Sequence, residues 1–133
     1  MVESSDIEEK NAFAFGLHKN NLAIATTGSL INALTVNLQA IKIGTGQIMI
    51  HNQTAGDLDY VILGTYADAA TIVAPTATDD DDDGWIQIAA ASIATTVSPV
   101  EIAITKGYSQ VVVQIKHTTL TTNVDIWFRA TNL

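Results

Sequence analysis

Alternating apolar and polar positions run through most of this chain, most clearly in its C-terminal quarter, from Gly107 to Asn132. There Val111, Val113 and Ile115 share one face of an extended segment, with Gln110, Gln114 and Lys116 on the other. After a Thr/Asn-rich turn, Val124, Ile126, Phe128 and Ala130 face one way while Asp125, Trp127 and Arg129 face the other. Period-two alternation predicts strands with one face in a core and one in water. The two segments are expected to form an antiparallel hairpin.

Upstream the same pattern recurs. Leu22–Thr26 predicts a strand that ends at Thr27-Gly28-Ser29. Leu30–Ile43 fits a helix through Leu30, Leu34, Leu38 and Ile41, and a strand through Leu34, Val36, Leu38 and Ala40. The β-branched Thr35 and Val36 favour the strand. Gly44-Thr45-Gly46 turns the chain into Gln47–Asn52, and a loop through Ala55-Gly56-Asp57 leads to Leu58–Tyr66, so these strands also read as a hairpin. Tyr60–Leu63 is apolar on both faces, as in a doubly covered central strand, and Val111–Val113 is apolar on both faces as well. Asp68–Gly84 reads as a long loop, followed by strands Trp85–Ala91, Ile93–Val97 and, past Ser98-Pro99, Val100–Thr105. Roughly seven to nine short strands with such spacing predict an all-β, two-sheet antiparallel sandwich, most simply a jelly roll. Its expected core holds Ile48, Ile50, Tyr60, Ile62, Ile102, Ile104, Val113, Ile115, Ile126 and Phe128.

A chain of 133 residues suits one domain. Residues 21–133 are read as the sandwich and residues 1–20 as an N-terminal arm. Ser5 and Glu8 could form a capping box for a short helix stopped by Gly16, or the arm could be loose. The N-terminus lacks the basic-then-apolar order of a signal peptide, so synthesis in a cytoplasm is expected. No apolar run approaches the roughly 20 residues that span a bilayer. The net charge of −8 argues against nucleic acid and anionic membranes as partners. Absence of cysteine excludes disulfides and thiol chemistry.

Candidate chemistry is sparse. Asp79, Asp81 and Asp83, followed by Gly84, match the opening of a calcium loop. The position where an EF-hand places its bidentate Glu is Ala90, however, and a run of aspartates in a polar loop is more often simply solvated. His18, His51 and His117 share no ligand spacing. Neither a nucleophile elbow, a Walker loop nor a dinucleotide fingerprint occurs, so no enzymatic activity and no cofactor are expected. Trp127, Asp125 and Arg129, together on the polar face of one strand, are candidate interface residues, with the indole as the anchor. The indole could instead be covered by a loop or by the arm, or stack on a sugar. Trp85 and Tyr108 are further possible sugar platforms.

The segment Tyr60–Asn132 resembles small virion proteins of tailed phages. The resemblance is carried by Val61-Ile-Leu-Gly-Thr-Tyr66, the Asp/Ala/Thr loop, Trp85-Ile-Gln-Ile88, Val100–Ile115 and Val124-Asp-Ile-Trp-Phe-Arg-Ala130. Such proteins include capsid decoration (cement) proteins and tail accessory proteins, built as β-sandwiches or jelly rolls. The resemblance implies a non-enzymatic virion protein that binds and stabilises the outer capsid surface, with the major capsid protein or other virion proteins as partners. A carbohydrate-binding module and a tail or receptor-binding accessory protein are the alternatives. A homo-oligomer is expected because strands apolar on both faces need cover, and the resemblance implies a trimer.

Overall fold

A computed structural model describes residues 16–24, 30–41, 45–53, 57–68, 70–75, 84–94, 99–117 and 122–130. Within them lie eight strands: β1 (Gly16–Ile24), β2 (Ile31–Asn37), β3 (Gly46–Asn52), β4 (Leu58–Thr65), β5 (Ile86–Ile93), β6 (Val100–Ile104), β7 (Gln110–His117) and β8 (Thr122–Ala130). One helical turn, α1 (Leu38–Ile41), follows β2. The strands form two antiparallel sheets, the first in the order β1-β8-β3-β6 and the second in the order β2-β7-β4-β5. Successive strands pass from one sheet to the other at every step except β4 to β5, which is the jelly-roll arrangement. The fold is therefore the expected all-β sandwich. Among the described residues no helix is long and apolar enough to cross a membrane, a statement that does not concern β-barrels.

Both expected hairpins are corrected. β7 pairs with β2 and β4, whereas β8 pairs with β1 and β3 in the opposite sheet. β3 and β4 are likewise split between the sheets. Alternation says which side of a strand faces the core, and that side is the same whichever sheet the strand joins. Other boundaries shift as well. The segment 30–43 is a strand only to Asn37, where α1 turns the fully buried Leu38 into the core. Trp85–Ala91 and Ile93–Val97 give one strand, β5, ending at Ile93. β1 begins at Gly16, so residues 16–20 belong to the sandwich and not to an arm. The proposed helix or arm over residues 1–15 lies outside the described residues.

Between the sheets, Ile48, Ile50, Leu58, Ile62, Val113, Ile115, Val124 and Ile126 have no solvent exposure. Nine of the ten expected core residues are buried, and Ile102 is half-buried against the same cluster. At roughly 1.5–3 kcal/mol for each fully buried aliphatic or aromatic side chain, this layer is the main source of stability.

A second, smaller core covers the outer face of the second sheet. Leu63 and Val112 point away from the main core and are nonetheless buried, together with Trp85. Val61 and Ile72 pack against them. The cover comes from described residues of the chain's own β4–β5 connection, Ile72, Val73, Pro75 and Trp85. Trp85 Nε1 donates to the Val73 carbonyl at 2.8 Å, and Asn32 Nδ2 donates to the Pro75 carbonyl at 3.2 Å. Gln114 Nε2 donates to Asn32 Oδ1 at 2.9 Å, so even this polar outward side chain is buried and bonded. Asp68 turns the loop, its carboxylate accepting from the Ala70 amide and its carbonyl from the Thr71 and Ile72 amides. The two-faced apolar segments Tyr60–Leu63 and Val111–Val113 are thus covered within the chain, which removes them as a reason for self-association.

Candidate functional site

The first sheet has no such cover among the described residues. Its outward side chains come from β8, the strand second from the edge, and from its neighbour β3. Trp127 is half-buried and lies directly across from half-buried Met49. One step along, exposed Arg129 pairs with exposed Gln47; one step the other way, buried Asp125 pairs with half-buried His51. Beyond Met49, β6 contributes exposed Glu101, and on the far side His18 of β1 stands in register with Trp127.

Asp125, Trp127 and Arg129 therefore share a face, as alternation requires, but their surroundings differ. Asp125 is only 7% exposed and accepts a hydrogen bond from Gln53 Nε2 at the end of β3. It orders the sheet margin and offers little surface to a partner. Trp127 and Met49 form an apolar centre, rimmed by Gln47, Glu101 and Arg129. Sequence reasoning missed Met49 and Gln53, because register between strands about 75 residues apart leaves no local mark.

The other candidates fare differently. Asp79, Asp81 and Asp83 lie outside the described residues. Among the described residues no group of three or more His, Cys, Asp or Glu could hold a metal ion. His117 is fully buried at the end of β7, in the sheet opposite His18 and His51. Trp85 is sealed beneath the loop and cannot serve as a platform for a sugar.

Tyr108 is also buried, packed against Gly64, and a second tyrosine stacks on it. The Tyr66 ring lies 4.9 Å from the Tyr108 ring, at an interplanar angle of 21°. Burial pushes the Tyr108 phenol above its ordinary range, and the charge and hydrogen bond of the Tyr66 hydroxyl add to the shift. Tyr66 itself is 57% exposed. The sequence pattern places it at the end of a strand, and nothing local marks it as a surface ring.

No protein-family model matches the chain, and neither does any curated protein. Among solved structures, the mitogen of Yersinia pseudotuberculosis is similar, with a TM-score of 0.52 and 13% identity over 90% of this chain and 88% of that one. The likeness is one of fold. It agrees with the sandwich described above and assigns no residue a role.

Proposed function

We propose that the protein is a non-enzymatic structural component of a phage virion that binds and stabilises the outer capsid surface. The observation that carries the interaction role is the Trp127–Met49 centre on the outward face of the first sheet. A half-buried aromatic and a methionine inside a polar rim have the composition of a protein interface, in which one or two anchors dominate affinity. Charge bears on the choice of partner. At −8 the chain repels nucleic acid and anionic lipid, so neither is the favoured target. The virion setting comes from the phage-like segment Tyr60–Asn132. A homo-oligomer, with the trimer implied by that resemblance, belongs to the same proposal, and the exposed first-sheet face is the surface it would use.

The test is cryo-electron microscopy of the virion that carries this chain, together with its Trp127→Ala variant. Density at regular capsid positions is expected, with the first sheet turned to the capsid protein or to a neighbouring copy. The variant should fold and be depleted from the particle. Absence of the chain from purified virions would falsify the proposal.

A further inference from the structure

At one end of the sandwich, β4 ends and β7 begins side by side, with Thr65 paired to Gln110. Tyr66 follows the first of these residues and Tyr108 precedes the second. We infer that Tyr66 is the stacking platform of a glycan-binding site at this end, separate from the face proposed above.

Three observations support it. The first is exposure: one face of the Tyr66 ring lies against Tyr108, so a residue 57% exposed presents its opposite face to solvent. The second is rigidity. The Ser109 amide donates to the Thr65 carbonyl at 2.7 Å, and the Ser109 hydroxyl donates to the carbonyls of Thr65 and Ala67. The Ala67 amide donates to Thr65 Oγ1 at 3.0 Å, so the backbone is held on both sides of Tyr66. Beneath it, Tyr108 is clamped against Gly64. A ring held this way loses little further freedom on binding.

The third observation is the chemistry of the surroundings. The Tyr66 and Tyr108 hydroxyls interact with each other at the platform. Exposed Ala67 and Asp68 follow it in the loop after β4, and exposed Thr105, Lys106 and Gly107 form the turn that delivers Tyr108. A single aromatic face, with exposed Asp68, Thr105 and Lys106 in the two chain segments that carry the tyrosines, suits one pyranose ring, whose C–H face stacks while its hydroxyls find polar partners. A protein interface needs about 800 Å² per partner, far more than one ring offers. A nucleobase would also stack, but its phosphates are repelled by a chain of net charge −8. The Tyr66 ring is covered by Tyr108 on one face and is 57% exposed overall, so the platform is open and not enclosed. An open platform suits an internal sugar of an extended glycan better than a single enclosed one.

The test is an amide chemical-shift titration with soluble cello-, chito- and galacto-oligosaccharides and a bacterial capsular polysaccharide. At least one should shift amides confined to residues 65–68 and 105–109. Tyr66→Ala should weaken that binding about tenfold, while Tyr66→Trp retains it and Trp127→Ala leaves it unchanged. The remaining amide spectrum of Tyr66→Ala should match the parent, which separates loss of the platform from loss of the fold. The inference is overturned if none of these glycans shifts those amides, if binding survives Tyr66→Ala, or if the shifts map to the Trp127 face. Loss or absence of binding at Tyr66 leaves capsid docking untouched, whereas shifts on the Trp127 face would count against both proposals, so the two failures are distinguishable.

Discussion

Gly64 lies directly under Tyr108: a Cβ at Gly64 would fall 2.7 Å from Tyr108 Cδ1 and 2.9 Å from Ile88 Cδ1. That contact sets how deeply Tyr108 sits and so how Tyr66 is presented. Gly64→Ala is expected to destabilise the fold by about 1–3 kcal/mol, because ring and strand must separate to admit the methyl group. Gly107→Ala, where the added carbon meets nothing, should stay within about 0.5 kcal/mol of the parent. Urea titrations with a common slope would measure both. Equal effects would show that the Gly64 contact is slack.

The same tyrosine gives the molecule an alkaline limit. Tyr108 titrates above its ordinary value in the folded chain and near about 10 when unfolded. From about pH 10 upward the unfolded chain loses this proton first. The folded state then binds more protons than the unfolded state, and stability must fall as pH rises. The contribution is complete below about pH 10 and is lost through the higher folded-state value. Stability measured from pH 8 to 11.5 should decline less steeply in Tyr108→Phe than in the parent. Parallel curves for the two proteins would remove Tyr108 as the cause.

Trp85 holds the β4–β5 connection over the second sheet through both its ring and its Nε1–H. Trp85→Phe keeps most of the buried area but leaves the Val73 carbonyl without this donor, a change of about 0.5–1.5 kcal/mol. Trp85→Ala also leaves a cavity beside Leu63 and Val112 and should cost about 3–5 kcal/mol. The Ala variant should also bind a hydrophobic dye and be cut faster by protease in the 66–84 connection, since the outer apolar face loses its cover. A Trp85→Ala protein as resistant as the parent would mean that the loop is held elsewhere.

These expectations mark where the sequence stops being informative. The alternation at Val111, Val113 and Ile115 identified the inward face of β7, and the one at Val124, Ile126 and Phe128 did the same for β8. Neither pattern could say that the two strands lie in opposite sheets, because alternation encodes a face and not a neighbour. The two-faced segments Tyr60–Leu63 and Val111–Val113 call for cover on both sides, and self-association is the cover they lead one to expect, whereas Leu63 and Val112 are covered by the chain itself. The source of that cover was hidden, since only the returning loop and the Trp85–Val73 bond reveal it. At the candidate site, Asp125, Trp127 and Arg129 were legible as one face of a single strand. Met49 and Gln53 join them through long-range register, and Tyr66 emerges as a platform only once Tyr108 is seen beneath it.

The two tryptophans offer a direct probe of the first-sheet face, since Trp85 is buried at 1% exposure and Trp127 is only half-buried. In Trp85→Phe the remaining emission comes from Trp127 and should be readily quenched by acrylamide. In Trp127→Phe the remaining Trp85 should be nearly unquenched. Adding capsid shells, or raising the concentration of the protein into a range where light scattering detects oligomers, should shield Trp127 in the first variant. Met49→Lys places a charge beside Trp127 on an outward position, so it should leave the fold intact while weakening this shielding, because desolvating an unpaired ammonium opposes docking. Trp127 that stays equally quenchable on capsids carrying the protein would move the contact to another surface. Shielding that Met49→Lys abolishes would place Trp127 and Met49 at the centre of the interface.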